Sequence, residues 1–246
     1  MIIPLRLSRS LAVLVVLSGI VLLAGSSFAA PQVDVMVKSP YLIYPGVVGQ
    51  MEVLWQLSGT YTSTVEWGTD LTYSSGSASS TEYGTANQHA YTFTDLLPAT
   101  KYYYRITTLG TPYTGSFLSA PPSDTTRVKF LVYGDTRPSS TSGPADEHNT
   151  EAGVILAAIN ADPAYQTFTL FMGDYVYNGC TESFWSSQWF PFNEPNIRTL
   201  TANLPYAGCM GNHETYPTGS TSLFPKYFPY PFAGSRYYYS FDYGPA

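Results

Sequence analysis

Three short polar motifs in the second half of the sequence contain the residue types that metal chemistry needs. They read GDTR (134–137), GDYVY (173–177) and GNHE (211–214), and an apolar run precedes each of them. Carboxylate, amide and phenol oxygens are hard ligands for di- and trivalent cations. Two ions a few ångström apart need a shared carboxylate between them and separate ligands on each side. The motifs therefore predict a site for two metal ions.

Each motif residue can be given a role from its chemistry. Asp174, in the middle motif, is the natural bridge between two ions, and Asp135 and Tyr177 complete the protein ligands of one of them. Asn212 would bind the other ion through its carbonyl oxygen. His213 would lie beside the metals as an acid, or as a hydrogen-bond donor to a phosphoryl oxygen or a leaving group.

The apolar runs before the motifs predict the strands that position them. These runs are 128–133, which reads as a strand covered on both faces, 167–172 and 204–210. A helical pattern with Val154, Ile155, Ala158 and Ile159 on one face separates the first two and ends at 160–163. Strand, helix and strand in that order predict a parallel βαβ unit, whose strands end at the same sheet edge. Asp135 and Asp174 should then converge.

The region 33–122 has the short β-branched and aromatic segments, separated by turn signals, of a small β-sandwich. Trp55 alternates inward, and a turn into a tyrosine-rich strand at 96–105 predicts a corner closed by a tyrosine hydroxyl. This region resembles a fibronectin type III-like module. We expect His89 to be a surface residue of it. The Pro- and Ser-rich stretch 119–126 predicts a linker to a second domain at 127–246.

Composition and the N-terminus predict where the protein is located. Only 11% of the 246 residues are charged, whereas 22 are Tyr, which fits an extracytoplasmic protein. A net charge of -6 argues against a nucleic-acid or anionic-lipid surface. Arg6 and Arg9, the apolar run 11–24 and small residues up to Ala29 predict a signal peptide at 1–29, with an uncleaved anchor as the alternative. We expect a secreted or periplasmic protein without a membrane span after cleavage.

The three motifs, in this order behind a fibronectin-like domain, closely resemble those of purple acid phosphatases within the calcineurin-like metallophosphoesterases. The resemblance implies an N-terminal all-β sandwich (fibronectin III-like) followed by a partial α/β metallophosphoesterase domain, the first half of an αββα-type sandwich. It implies Fe bound by Asp135, bridging Asp174 and Tyr177, and a second metal, Zn, Mn or Fe, bound by Asn212. His213 would contact a small phosphorylated substrate, a phosphate monoester hydrolysed by metal-bound hydroxide.

Two features depart from the family pattern. Arg137 stands where the family's first motif usually has Gly, and either binding of a substrate phosphate or pairing with a loop acid would explain it. The family also supplies three histidine ligands after the third motif, whereas this sequence has only His89, His148 and His213. We therefore expect a C-terminally truncated, inactive fragment. His148 is predicted to be a solvated residue in the loop before the helix rather than a substitute ligand.

Several interpretations stay open at this point. Phe184, Trp185, Trp189 and Phe190 could line a substrate mouth, although packing of a helix onto the sheet is the default expectation. Cys180 and Cys209 could pair in an oxidising compartment, although Cys209 within a strand favours a buried free thiol. A phosphodiesterase or nucleotidase on the same scaffold is an alternative function. A non-catalytic secreted binding module, which would bind no transition metal, is another.

Overall fold

The structure, a computed structural model, describes residues 34–141, 145–217, 220, 222–233 and 237–245. The predicted signal peptide lies outside these residues. The strands they form are β1 (Met36–Ile43), β2 (Met51–Leu57), β3 (Ser63–Gly68), β4 (Gly76–Ser79), β5 (Thr81–Tyr83), β6 (Gln88–Phe93), β7 (Lys101–Thr108), β8 (Thr111–Leu118), β9 (Leu131–Tyr133), β10 (Thr169–Phe171) and β11 (Tyr206–Gly208). The helices are α1 (Asp146–Ala161), α2 (Glu182–Phe184), α3 (Pro195–Thr201) and α4 (Phe224–Tyr227).

The strands form two sheets. One is mixed and seven-stranded in the order β5-β6-β2-β1-β11-β10-β9, and the other is antiparallel in the order β4-β3-β7-β8. Large side chains from both sheets share one core, which includes Trp55, Phe93, Tyr104 and Phe117. The predicted all-β character of the first half is thus confirmed. Its assignment to the fibronectin type III-like modules stays a prediction.

Two side chains of the all-β region can be compared with the sequence predictions. Tyr102 accepts a hydrogen bond from the Leu97 backbone N–H at 3.0 Å, which closes the predicted tyrosine corner. The prediction for His89 was wrong, because its ring is buried and stacks on Trp55 with 5.3 Å between ring centroids. Burial lowers the pKa of His89, although Glu82, 3.2 Å from Nε2, acts in the opposite direction, and Nδ1 lies 2.9 Å from the Ser80 hydroxyl oxygen.

The seven-stranded sheet runs through both predicted domains. Strand β1 pairs in parallel with β11 at Ile43 and Tyr206, and the Tyr44 backbone N–H donates to the Tyr206 carbonyl at 2.9 Å. The Tyr104 hydroxyl also donates to the Ala202 carbonyl at 2.9 Å. The predicted domain boundary at 122–127 stays a prediction. Backbone hydrogen bonds between β1 and β11 join the residues on its two sides.

Strands β9, β10 and β11 are parallel, with β10 in the middle, as the βαβ reading predicted. Helix α1 begins at Asp146, earlier than its apolar pattern suggested, and ends at Ala161. His148 is its third residue and is fully buried, stacking on Trp189 with 4.4 Å between ring centroids. Burial lowers the pKa of His148 to about 3, so the ring is neutral. The prediction of a solvated loop residue was wrong because the buried face of α1 starts at His148 and continues through Ala152.

The two faces of the three parallel strands differ. Phe171 packs into an aromatic cluster with Tyr175, Trp185, Trp189 and Tyr206, which confirms that the tryptophan segment packs onto the sheet. The opposite face leaves Phe130, Val132 and Met172 between 44% and 60% exposed. The expectation of a strand covered on both faces was therefore wrong for 128–133: Phe241 and Tyr243 pack against Phe168 on this face, but they leave Phe130 and Val132 exposed.

Both cysteines are free. Cys209 is exposed, so the expectation of a buried thiol was wrong; strand β11 ends one residue earlier, at Gly208. Within the described ranges, no helix has the length and apolar character that a membrane crossing requires.

Candidate metal centre

Backbone hydrogen bonds hold the first two motifs side by side at the ends of β9 and β10. The Asp135 N–H donates to the Gly173 carbonyl at 3.0 Å, and the Arg137 N–H donates to the Asp174 carbonyl at 3.2 Å. The parallel pairing of β9 with β10 is thereby extended past the last strand residues. Asp135 and Asp174 consequently leave the sheet at the same edge, as the sequence predicted.

Both aspartates adopt a left-handed backbone conformation. The φ angle is 58° at Asp135 and 59° at Asp174. This region is disfavoured for residues with a side chain, by about 1–2 kcal/mol per residue. Such strained positions cluster at functional sites, where the surrounding structure holds them. The same conformation thus recurs at two neighbouring strand ends, with Asp, a residue type that tolerates it, at both of them.

Glycines allow the second and third motifs to approach each other closely. A Cβ atom on Gly173 would overlap the backbone nitrogen of Gly211 and lie 2.7 Å from its Cα. A Cβ atom on Gly211 would overlap the Asp174 Oδ1 atom and lie 2.5 Å from the Asp174 backbone nitrogen. Only glycine fits these two positions without a shift of the backbone. The glycines of GDYVY and GNHE are thus explained by packing around Asp174.

Glu214 binds the third motif to the second, a role that the sequence analysis missed. Its Oε2 atom accepts from the backbone N–H groups of Asp174 (2.7 Å) and Gly211 (2.8 Å), and its Oε1 atom accepts from Tyr175 (2.8 Å). Glu214 is fully buried, and burial raises its pKa although these hydrogen bonds act in the opposite direction. The sequence indicated this role only through the position of Glu214, directly after the predicted site residues Asn212 and His213.

Arg137 contacts the carboxylates of both aspartates. Its Nε atom lies 3.3 Å from Asp174 Oδ2 and 3.5 Å from Asp135 Oδ1. The Asp135 side chain is 73% exposed, whereas the Asp174 side chain is only 16% exposed. The two acids therefore converge, as predicted. Of the two explanations left open for Arg137, the structure shows the pairing with acids.

His213 is fixed through both its backbone and its ring. Its N–H donates to Asp174 Oδ1 at 3.1 Å, and its Nδ1 lies 2.6 Å from the Tyr177 carbonyl oxygen. Because a carbonyl oxygen only accepts, Nδ1 must carry the proton, which leaves Nε2 free of this contact. The Tyr177 ring packs edge-on against the His213 ring, with 5.3 Å between centroids, and stacks on Phe184.

A cavity of about 490 Å³ opens at the strand ends. Asp135, Asp174 and Asn212 are part of its lining, whereas Tyr177 and His213 are not. Elsewhere in the described ranges, as here, no group of three or more His, Cys, Asp or Glu side chains is placed to hold a metal ion. Two converging carboxylates and an amide in one cavity nevertheless fit a hard cation, because oxygen is the ligand atom that such cations prefer.

Comparison with known proteins identifies the fold. No protein-family model and no curated protein sequence matches the chain. Among solved structures, purple acid phosphatase PPD1 from yellow lupin (Lupinus luteus) seeds is similar, with a TM-score of 0.58 and 18% identity over 83% of this chain and 43% of that one. PhoD is similar with a TM-score of 0.55 and 14% identity, over 76% of this chain and 41% of that one.

These likenesses establish a shared fold. The resemblance that the three motifs predicted is therefore supported at the level of architecture. The chain spans less than half the length of either solved structure. Activity, metals and substrate, which depend on individual residues, do not follow from the fold.

Proposed function

We propose that the chain contributes the metal-binding strand ends of a secreted phosphoesterase that hydrolyses phosphate monoesters. The observation that supports this most strongly is the convergence of Asp135, Asp174 and Asn212 on one cavity at the carboxyl ends of parallel strands. Ligand sites of open α/β sheets lie at this end of the strands. The fold shared with a purple acid phosphatase supports the same function.

The proposed ligands follow from the donor atoms at this edge. Asp174 would bridge two ions, with Asp135 and Tyr177 on a ferric ion and Asn212 on a second ion, Zn, Mn or Fe. Bound ions would act as Lewis acids on a phosphoryl oxygen and acidify a water molecule. Asp174 is well prepared for the bridging role, since Glu214 fixes its backbone and its side chain is mostly buried.

His213 would transfer the proton in this scheme. With Nδ1 donating to the Tyr177 carbonyl, Nε2 is the ring nitrogen that would bind and release the transferred proton. Donation of that proton to the leaving oxygen of the ester would neutralise the alkoxide as it departs. The N–H contact with Asp174 keeps His213 beside the proposed bridging carboxylate.

Titration with ferric iron, followed by visible absorption, tests the ligand assignment. We expect a tyrosinate-to-iron absorption band in the wild-type chain, its loss in Tyr177→Phe, and weaker iron binding in Asp174→Asn. Tyr216→Phe is a matched control, because Tyr216 is exposed and its ring lies 6.2 Å from that of His213. A wild-type protein without the band, or a Tyr177→Phe variant that keeps it, would contradict the assignment.

Turnover of the 246-residue chain is expected to be low. His89 and His148 are buried against Trp55 and Trp189, so His213 is the histidine available at the site. Hydrolysis of p-nitrophenyl phosphate with iron and zinc should therefore fall far below that of a purple acid phosphatase with the family's histidine ligands. Turnover near the level of such an enzyme would show that the residues of this chain suffice.

A further inference from the structure

Arg137 lies where two acidic ligands would meet a cation. One of its nitrogen atoms, Nε, is within 3.5 Å of carboxylate oxygens from both Asp135 and Asp174. The Arg137 backbone is itself anchored by the 3.2 Å hydrogen bond to the Asp174 carbonyl. The Arg137 side chain is three-quarters buried, which limits its exchange of these contacts for water.

This positive charge offsets a concentration of negative charge. Among the described residues, Arg137 is the basic side chain that forms ion pairs with Asp135 or Asp174 within 4.0 Å, and no second one does so. Two carboxylates facing one cavity repel each other unless a cation lies near both of them. In this structure the guanidinium of Arg137 fulfils that condition.

A metal ion held by Asp135 and Asp174 would compete with the Arg137 guanidinium for the same carboxylate oxygens. Metal–carboxylate distances are about 2.0–2.2 Å for Zn²⁺, so the ion would occupy the space directly in front of the oxygen atoms. The guanidinium would then be within a few ångström of a like charge, which is unfavourable at a partly buried site. Binding of an ion must therefore displace the Arg137 side chain, while its anchored backbone can stay.

We propose that Arg137 is an internal counter-ion that competes with metal ions for Asp135 and Asp174 and becomes available to an anionic phosphate group once they bind. The proposal rests on the proposed function of the site. It adds that Arg137 first pairs with the two carboxylates and, after metal binding, with a phosphate group. In the metal-free chain, Arg137 holds the two carboxylates together. In the loaded chain, the displaced guanidinium is a fork-shaped donor that matches phosphate oxygens.

Calorimetric titration with Mn²⁺ tests the competition without any catalytic readout. We expect Arg137→Gln to bind Mn²⁺ at least about tenfold more tightly than the wild-type chain, because a competing positive charge is removed. Arg105→Gln is the matched control, since Arg105 forms its ion pair with Glu66 at 2.8 Å in the four-stranded sheet, away from the three motifs. Its Mn²⁺ affinity should equal that of the wild-type chain.

The result separates failure of the competition from failure of the proposed function. If the wild-type chain binds Mn²⁺ and Arg137→Gln binds it equally or more weakly, the competition is wrong and the metal site stands. If neither protein binds Mn²⁺ at millimolar concentration, the proposed function fails and the competition fails with it.

A double-mutant cycle in EDTA tests the counter-ion role directly. Arg137→Gln should lower the melting temperature, and a second change, Asp135→Asn, should restore part of the loss because fewer charges then repel each other. Strict additivity of the two changes would overturn the counter-ion role, whatever the metal titration shows.

Discussion

Asp135 and Asp174 leave neighbouring strands with the same left-handed backbone, yet the protein supports them very differently. Asp174 is mostly buried, its backbone N–H is bound by Glu214, and its side chain accepts from His213. Asp135 is largely exposed, and its side chain contacts Arg137. The difference shows which of the two proposed ligands is preorganised: protein contacts hold the Asp174 carboxylate, whereas the exposed Asp135 carboxylate is less constrained.

Gly211 packs so closely against Asp174 that no side chain should be tolerated at this position. We expect Gly211→Ala to destabilise the fold by about 3 kcal/mol or more, because its Cβ would overlap Asp174 and the backbone there must move. Gly84→Ala is the control, since Gly84 has open space around it, and its positive φ angle of 69° is expected to cost only about 1 kcal/mol with Ala. Equal losses of unfolding free energy in urea would contradict the close approach.

Removing the charge of Glu214 should weaken its hydrogen bonds to the backbone at Asp174 and Tyr175 and so destabilise the fold. Glu214→Gln replaces one acceptor oxygen with an NH₂ group that faces backbone N–H donors, so about 2–3 kcal/mol should be lost. Glu66→Gln, which removes one acid of a partly exposed ion pair, should cost about 1 kcal/mol or less. Urea unfolding of the two variants measures the contrast, and a loss for Glu214→Gln as small as for Glu66→Gln would contradict the bracing role.

A second acid, Glu182, supports the segment that follows GDYVY. Partial burial opposes its ionisation, but hydrogen bonds from Lys226, Lys38 and Tyr227 outweigh this and lower its pKa to about 2. A carboxyl whose folded pKa is lowered stabilises the fold above its unfolded value of about 4.5, and this stability is lost as pH falls toward 2.

Stability should therefore decline between pH 4.5 and 2, with Glu182 contributing on the order of 1 kcal/mol after allowance for solvent screening of a half-exposed group. Melting temperatures of the wild-type chain and Glu182→Gln across this range measure the contribution. The variant should show the shallower pH dependence, and parallel curves would show that Glu182 contributes nothing.

The smallest effect is expected from the exposed aspartate. Asp135→Asn should change the unfolding free energy by no more than about 0.5 kcal/mol, since Asn tolerates a left-handed backbone and the Asp135 side chain is 73% exposed. Asp174→Asn should cost about 1 kcal/mol, because an amide cannot accept on both sides from Arg137 and the His213 N–H. Equal costs would mean that the protein does not support the two proposed ligands differently.

The strand ends could be predicted from sequence because each apolar run is local and ends at a glycine-containing polar motif. Parallel strands of one sheet place such ends together, which brought Asp135 and Asp174 to the same edge. Burial of His148 and His89 could not be predicted, since it depends on Trp189 and Trp55 from distant segments.

Two features of the site required three-dimensional information. Nothing in the sequence of GNHE distinguishes Glu214 from an ordinary acidic residue. Its role depends on the fold, which brings its carboxylate to the N–H groups of Asp174 and Tyr175. Arg137 was correctly singled out as unusual, but sequence could not decide between phosphate and acid as its partner. Its contact with both aspartates depends on the register of β9 against β10.

Anomalous X-ray diffraction from crystals soaked in Mn²⁺ would show whether these strand ends bind a metal ion. We expect an anomalous peak within coordination distance of the Asp174 carboxylate, in the cavity shared with Asp135 and Asn212, and a guanidinium of Arg137 that has moved away from both acids. A peak absent from this cavity, at Mn²⁺ concentrations that saturate the wild-type chain in solution, would contradict it.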